Sequence, residues 1–168
     1  MVTTRIYLLR HGIAVPHGTP GVDDDDRTLT PKGESRVKKI ALGLKRIDVE
    51  PGTIVTSPLP RARRTAEIVA RVLKREDSLV EDDVLTPRSS AASIREWLDA
   101  RDEDRLMLVG HNPVLGSLLG LLIGLTTETP PFELKKGGIA EVRARPEFPG
   151  SYQLQWLATP RLLRHEAG

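Results

Sequence analysis

The sequence predicts a three-layer α/β fold with a mostly parallel central sheet. Short apolar segments, typical of buried strands, alternate along the chain with longer segments in which apolar residues recur at helical spacing. The last two predicted strands are separated only by a short turn, which predicts an antiparallel addition to that sheet. With 168 residues, 39% of them hydrophobic and 29% charged, and with no linker or internal repeat, the chain is expected to form one domain over residues 1–168.

The first half of the chain predicts two strands, each followed by a helix. Residues 5–9 form a continuous apolar run of the kind that a parallel sheet buries on both faces, and the run ends at Arg10. Thr30 followed by Pro31 is typical of a helix start, and the helical spacing continues to about residue 47. Residues 53–56 predict the second strand, after which Ser57 and Pro58 predict the start of a helix reaching residue 73.

The second half predicts the remaining strands and helices. A short apolar piece near Val84 and Leu85 predicts a third strand, followed by a helix over residues 90–100. Residues 105–109 are a second continuous apolar run, and residues 113–124 predict a buried helix. Residues 139–145 and 152–158 alternate in the manner of strands, and the Pro149-Gly150 turn between them predicts a closing hairpin.

Composition and charge exclude several classes of function. The chain contains no cysteine, which excludes disulfides, thiolate zinc sites and a cysteine nucleophile, and which fits a reducing compartment. No apolar stretch is long enough to span a membrane and no secretory signal is recognisable, so we expect a cytoplasmic protein without a membrane partner. A net charge of +2 and an aromatic content of 4% argue against a nucleic-acid partner. The sequence predicts no particular oligomeric state.

Polar residues follow three of the predicted strands. Arg10 and His11 follow the first, Ser57 and Arg61 follow the second, and His111 follows the strand over residues 105–109. Ligands of open α/β sheets bind beyond the carboxyl ends of the strands, so these residues are expected to converge. The other two histidines, at positions 17 and 165, fall in a predicted loop and a polar tail, and we assign them no function.

These residue types suit phosphoryl transfer through a histidine nucleophile. A neutral His11 imidazole can attack phosphorus in line to give a phosphohistidine that water later hydrolyses. Neighbouring guanidinium groups are expected to lower the pKa of His11 and favour the neutral form. Arg10 and Arg61 would bind the phosphoryl oxygens, with His111 as a further donor. This chemistry needs no metal or other cofactor.

Four short motifs follow one another along the chain: LRHG at residues 9–12, LTPKG at 29–33, SPLPRA at 57–62 and VGHNP at 109–113. In this order they resemble the histidine phosphatase (phosphoglycerate mutase-like) superfamily. The small size and the segment LKKGGIA at residues 134–140 are most similar to its SixA branch of phosphohistidine phosphatases. The resemblance implies the phosphoglycerate mutase-like fold, His11 as the phosphate acceptor, and Arg10, Arg61 and His111 as the rest of the phosphate pocket. It also implies that Arg27 reaches the phosphate, although pairing with the adjacent aspartates is an equally good interpretation of this residue.

The chain departs from the family pattern at two places. Arg64 stands where the family usually has Gln or Glu, so no substrate contact is predicted for that position. Larger members protonate the leaving group with a carboxylate from an insertion after the third strand. Here that connection is short, with only Glu81, Asp82 and Asp83, and none of them is a convincing acid. Phosphohistidine needs less acid catalysis than an ester, and a site with little lid admits a protein substrate, so both features favour protein phosphohistidine as the substrate.

Several alternatives remain open from the sequence. Small phosphate esters are a second possible substrate class, and a phosphate-binding module without catalysis is a third interpretation. The stretch from Asp24 to Thr28 matches the D-x-D-x-T pattern of magnesium-dependent haloacid dehalogenase-type phosphatases, but turn residues rather than a strand precede it, and a solvated acidic loop is the better interpretation. A calcium loop fails because Thr28 stands where glycine is required. Asn112 is expected to support the site or cap a helix. Whether the loop over residues 17–26 closes over the site is not predicted.

Overall fold

A six-stranded mixed sheet forms the centre of the computed structural model, which describes residues 3–125 and 132–166. The strand order is β3-β2-β4-β1-β5-β6. The strands are β1 (Arg5–Arg10), β2 (Thr53–Thr56), β3 (Leu79–Glu81), β4 (Arg105–Gly110), β5 (Ile139–Ala144) and β6 (Tyr152–Ala158). The helices are α1 (Pro31–Arg46), α2 (Pro60–Leu73), α3 (Ala91–Asp99), α4 (Val114–Leu122) and α5 (Pro160–Glu166), and short 3₁₀ turns cover Glu76–Ser78 and Asp83–Leu85.

The parallel part of the sheet brings three strand ends to one edge. Strand β4 lies between β1 and β2 and is parallel to both, while β3 extends the parallel part beyond β2. The register pairs Arg10 with Gly110 and Thr56 with Val109, so β1, β2 and β4 end side by side. Strands β5 and β6 add on the other side of β1 in antiparallel fashion, as the alternation and the turn predicted.

Helices cover both faces of the sheet, which explains the continuous apolar run in β1. Tyr7 and Leu9 pack with α1, α2 and α5, while Ile6 and Leu8 pack with α3 and α4 on the opposite face. Since successive side chains of a strand point to opposite faces, a strand covered on both sides must be apolar at every position. The predicted three-layer α/β fold is confirmed.

Local capping sets the starts of two helices where the sequence placed them. The Thr30 side chain accepts a hydrogen bond from the Gly33 backbone N–H at 2.9 Å, and Pro31 occupies the first turn of α1, where its missing N–H costs nothing. Ser90 and Ser93 form reciprocal bonds at the start of α3. These contacts explain why predicted and observed boundaries agree closely here.

Three predicted elements differ from the structure. The segment at Val84 and Leu85 forms a 3₁₀ turn, and the third strand lies earlier, at Leu79–Glu81, where it is too short and too exposed to show a buried pattern. Helix α2 begins at Pro60, because the Ser57 hydroxyl accepts the Leu59 N–H and holds an intervening turn. The predicted polar tail forms α5, which packs on α1. Within residues 3–125 and 132–166, no helix is long and apolar enough to cross a membrane.

Candidate active site

A polar pocket of about 280 Å³ lies beyond the carboxyl ends of β1, β2 and β4. All five residues predicted to bind or accept phosphate line it, although they come from four separate parts of the chain. A larger cleft of about 490 Å³ lies between α1 and α2, and it contains none of them. We therefore take the smaller pocket as the candidate active site. Its lining consists of Arg10, His11, His17, Asp24, Arg27, Arg61, Pro87, His111, Asn112 and Lys136.

The His11 ring is held in one orientation by a backbone contact. Its Nδ1 lies 2.7 Å from the Gly12 carbonyl oxygen, an acceptor, so Nδ1 carries the proton and Nε2 carries the lone pair. His11 is only 5% exposed. Burial, opposed by the Gly12 bond and reinforced by the charges of Arg61 and Arg10, lowers the pKa of His11 to about 3. At neutral pH this histidine is an uncharged imidazole with a free Nε2 lone pair.

Backbone contacts on two sides fix the loop that carries His11. The Gly12 N–H donates to the Thr65 hydroxyl at 3.0 Å, and that hydroxyl donates to the Arg61 carbonyl at 2.7 Å, which ties β1 to α2. The Gly137 N–H lies 3.0 Å from the His11 carbonyl oxygen, and Gly137 has φ +81°, a conformation that favours glycine. The glycine pair in the LKKGGIA segment therefore supports the back of the site.

A hydroxyl relay orients His111. The Leu59 N–H donates to the Ser57 hydroxyl at 3.3 Å, and that hydroxyl lies 2.9 Å from His111 Nε2. A hydroxyl can both donate and accept, so this contact fixes the orientation of the His111 ring and is compatible with a proton on either ring nitrogen. His111 Nδ1 is buried without a hydrogen-bond partner in the described part of the chain. Burial, and then the neighbouring His11, lower the pKa of His111 to about 3.

The two histidine rings face each other across the pocket, with centroids 5.2 Å apart at a tilt of 56°. His111 is 2% exposed, so both rings are removed from bulk water. The unpaired Nδ1 of His111 and the free Nε2 of His11 therefore place two ring nitrogens beside the same small volume. This arrangement can bind a phosphoryl group and attack it.

Three guanidinium groups supply the positive charge. Arg10 donates from one terminal nitrogen to the Leu134 carbonyl at 2.7 Å, and Arg61 donates to the Asp24 carbonyl at 2.7 Å. The Nε atoms of both arginines are buried without a partner among the described residues. Burial lowers the pKa of both groups, but an arginine remains charged at neutral pH. The pocket therefore carries excess positive charge and unpaired donors, which suits an anion.

Arg27 pairs with an aspartate, as one of the two interpretations predicted, and this pairing leaves it at the pocket. It lines the pocket, and its Nε donates to the Asp24 carboxylate at 2.8 Å, while a terminal nitrogen donates to the Val15 carbonyl at 3.0 Å. The Asp24 contact places the guanidinium beside Arg61, whose terminal nitrogen lies 3.5 Å from the same carboxylate. Pairing with an aspartate thus positions Arg27 at the site rather than removing it.

The sequence interpretation missed four residues that line the pocket, His17, Asp24, Pro87 and Lys136. The loop that carries His17 and Asp24 is closed by a bridge between Ala14 and Leu29, and both of these residues line the pocket. Asp25 of the same loop pairs at 2.9 Å with Arg88, which follows the 3₁₀ turn at Asp83–Leu85. The loop was interpreted as solvated because its acidic and turn residues show no periodicity. The spacing of three residues between Asp24 and Arg27 was the available signal.

Other residues singled out from the sequence lie elsewhere or act indirectly. Asn112 lines the pocket and donates to the Leu134 carbonyl at 3.1 Å, but the residue preceding α4 is Pro113, so Asn112 supports the site and is not the cap. Arg64 pairs with Glu34 at 2.7 Å in the cleft between α1 and α2 and lies outside the pocket. The stretch from Asp24 to Thr28 lies in a turn rather than at a strand end, as its sequence context predicted. Within the described ranges no group of three potential metal-ligating His, Asp or Glu side chains occurs.

Comparison with known proteins agrees with this geometry. The sequence pattern of the Histidine phosphatase superfamily (branch 1) matches residues 6–89, half of the chain. An uncharacterized protein of Picosynechococcus sp. is 37% identical over 165 residues, which cover 94% of this chain and 98% of that protein. The chain belongs to the histidine phosphatase superfamily. The matched residues carry the first two strand ends, with His11, Arg27 and Arg61, and the described fold adds the rest of the pocket.

Two further members of the superfamily are similar to this chain along most of their length. Phosphohistidine phosphatase SixA of Escherichia coli K12 is 28% identical over 130 residues, covering 76% of this chain and 78% of that protein. The structure of the protein histidine phosphatase SixA complexed with tungstate superposes with a TM-score of 0.81 at 27% identity, covering 95% of this chain and 99% of the other. This chain is therefore a phosphatase of the histidine phosphatase superfamily, and it is similar in sequence and structure to SixA proteins.

Proposed function

We propose that this phosphatase acts without a metal, through a phosphoryl group carried on His11, and that its substrate is phosphohistidine in proteins. The observation that carries the proposal is the His11 ring orientation. Nδ1 donates to the Gly12 carbonyl, so the lone pair of Nε2 is free in a pocket with three guanidinium groups. A neutral imidazole at physiological pH, supported by the low pKa of His11, is a nucleophile that needs no base.

The proposed reaction has two steps. His11 Nε2 attacks phosphorus as the bond to the leaving group breaks, and the negative charge on the phosphoryl oxygens is stabilised by Arg10 and Arg61 and by the Nδ1–H of His111. Water then attacks the phosphorylated His11, which releases phosphate and restores the neutral ring. Because the arginines are anchored to backbone carbonyls, they need little reorganisation when the charge develops.

The substrate class rests on the relatives and on the shape of the site. Both SixA proteins carry protein histidine phosphatase or phosphohistidine phosphatase in their names, at 27% and 28% identity. Between β3 and α3 this chain has only a 3₁₀ turn and short connecting segments. With so little material there, the pocket stays accessible to a phosphorylated side chain on another protein. The tungstate held by one SixA relative is a phosphate-like oxyanion, and we expect tungstate to inhibit this chain competitively.

The decisive experiment measures phosphate release from a protein bearing phosphohistidine and from an aryl phosphate, both in EDTA. Wild type is compared with His11→Ala and with His165→Ala, a matched control because His165 is an exposed histidine outside the pocket. We expect EDTA to leave activity unchanged, a strong preference for phosphohistidine, and loss of activity to background in His11→Ala only. Wild-type activity in His11→Ala would refute the nucleophile.

The same experiment separates the alternative functions. Turnover of the aryl ester alone, still dependent on His11, would move the function to a small-molecule phosphatase with the same mechanism. Tight tungstate binding without release of phosphate from either substrate would identify a phosphate-binding module. Loss of activity in EDTA that added magnesium restores would revive the D-x-D-x-T interpretation of Asp24.

A further inference from the structure

His17 and Asp24 form a hydrogen-bonded pair at the mouth of the pocket. His17 Nδ1 lies 2.6 Å from the Asp24 carboxylate, and the same carboxylate oxygen accepts from Arg27 at 2.8 Å. Arg61 donates to the backbone carbonyl of Asp24 at 2.7 Å. The bond from His17, followed by the contact with Arg27, lowers the pKa of Asp24, so this group is a carboxylate. Arg27 thus holds the carboxylate of Asp24, Arg61 holds the backbone of the same residue, and the carboxylate holds the imidazole.

This pairing leaves a defined nitrogen of His17 for chemistry. Nδ1–H donates to Asp24, so Nε2 is the ring nitrogen left to exchange a proton with a ligand. The His17 side chain is 80% exposed, which lets it exchange protons with water, yet it lines the same pocket as His11. His11, Arg61 and His111 are buried, whereas His17 is exposed, so His17 is the histidine of this pocket that is open to solvent.

The carboxylates considered from the sequence as acids are engaged elsewhere. Glu81 pairs with Arg63 at 3.7 Å, and Asp82 accepts from the Val84 N–H and the Trp97 indole, both at 2.9 Å. Neither residue lines the pocket, and nor does Asp83. An oxygen ester with a poor leaving group therefore needs a donor from another part of the chain.

We propose that His17, oriented by Asp24, is the general acid that protonates the leaving group, which extends the activity of this site to phosphate esters of alcohols. The proposal rests on the proposed role of His11 and adds a substrate class to it. As the bond from His11 Nε2 to phosphorus forms, the bond from phosphorus to the leaving oxygen breaks. The electron pair of that bond takes the Nε2 proton of His17, which becomes neutral. When water hydrolyses the phosphorylated His11, the proton that it releases returns to His17 or to solvent.

Lys136 is exposed and also lines the pocket, so it is a second candidate for the acid. No carboxylate contact orients it in residues 3–125 and 132–166, whereas His17 is held by Asp24 at 2.6 Å. A donor must be kept within reach of the leaving atom, so the oriented imidazole is the better acid. Lys136→Ala therefore serves as a comparison variant in the test.

The test is the dependence of kcat/KM on the leaving group, because kcat/KM reports the steps up to phosphoryl transfer and not the later hydrolysis. Wild type, His17→Ala, Lys136→Ala and His165→Ala are assayed with nitrophenyl phosphate, phenyl phosphate and an alkyl phosphate. In His17→Ala we expect the loss to grow from a few-fold with the nitrophenyl ester to about 100-fold with the alkyl ester. The other two variants should keep the wild-type dependence.

Chemical rescue distinguishes a catalytic role of His17 from a purely structural one. Added imidazole should restore a large part of the alkyl phosphate activity of His17→Ala, since it can enter the exposed space of the missing ring, and it should leave His165→Ala unchanged. Without added imidazole, Asp24→Asn should have lower activity on the alkyl ester than wild type. The asparagine amide binds the His17 ring less strongly than the carboxylate does.

Each contrary outcome has a separate meaning. An equal loss with all three esters, or a steeper dependence in Lys136→Ala instead, would overturn the assignment of His17. Hydrolysis of phosphohistidine that depends on His11, without hydrolysis of any ester, would overturn this inference and leave the proposed function intact. Absence of any His11-dependent release would overturn the proposed function and this inference with it.

Discussion

The two buried histidines should make the stability of the protein depend on pH in the range where most carboxylates do not titrate. His11 and His111 have pKa values of about 3 in the folded protein, against about 6.5 in an unfolded chain. Because the folded-state pKa is the lower one, the unfolded chain takes up protons that the folded protein refuses as pH falls below 6.5. Stability is fully present above that pH and is lost towards pH 3.

The size of the effect follows from these values. Each histidine lowers the free energy of unfolding by up to about 1.4 kcal/mol per pH unit within this window. Between pH 7 and pH 5 that amounts to about 2 kcal/mol for each ring, or about 4 kcal/mol for the pair. The carboxyl groups of Asp24 and Glu34, whose pKa values are also lowered by their partners, contribute only at lower pH, where unfolded carboxylates titrate.

Urea unfolding at pH 7, 6 and 5 measures this dependence directly. Wild type should lose about 4 kcal/mol of unfolding free energy over the range, and the double variant His11→Gln with His111→Gln should lose far less, whatever its stability at pH 7. The exposed histidines at positions 17 and 165 are present in both proteins and cancel in the comparison. Equal pH dependence in the two proteins would refute the reasoning that both rings are buried in the neutral form.

Three further predictions test single contacts. Ser57→Ala removes the partner of His111 Nε2, so kcat should fall about 10- to 100-fold with a stability loss of about 1–3 kcal/mol, measured by steady-state kinetics and urea unfolding. Gly43→Ala should destabilise by about 1–3 kcal/mol in the same unfolding assay, because a Cβ there would lie 2.0 Å from the Leu163 carbonyl oxygen where α1 meets α5. Arg64→Gln should leave kcat/KM within about two-fold of wild type, since Arg64 pairs with Glu34 outside the pocket.

Each of these predictions has a clear contrary result. Unchanged kcat in Ser57→Ala would show that His111 keeps its orientation without the hydroxyl. A Gly43→Ala protein as stable as wild type would mean that α5 shifts at no cost. A large loss of kcat/KM in Arg64→Gln would show that Arg64 contributes to substrate binding or catalysis despite lying outside the pocket.

Local sequence patterns were sufficient to predict most of the helices and strands. The apolar run at residues 5–9 is continuous because helices cover β1 on both faces, and Thr30 with Pro31 caps α1 through a local hydrogen bond. The third strand was misplaced because Leu79–Glu81 is short and partly exposed at the edge of the sheet, whereas Leu85 is fully buried in a turn. At Leu79–Glu81 and at Leu85, burial does not follow secondary structure. The pattern of apolar residues indicates which residues are buried, and it therefore predicted the strand at the wrong segment.

The sequence by itself determined the three-layer α/β class and the residues that follow strands β1, β2 and β4, because a strand end is a local feature and parallel strand ends share one edge of the sheet. Only the tertiary structure decided which nitrogen of His11 is free, which hydroxyl orients His111, and that His17 and Asp24 reach the pocket. The His11 contact is with its neighbour Gly12, whose own N–H is held by the distant Thr65 hydroxyl. The other features depend directly on residues far apart in the chain, such as the bond from Arg61 to the Asp24 carbonyl. A loop has no periodicity from which its position can be inferred. The position of the loop with His17 and Asp24 is set by its contacts at the pocket, such as those of Asp24 with Arg61 and Arg27.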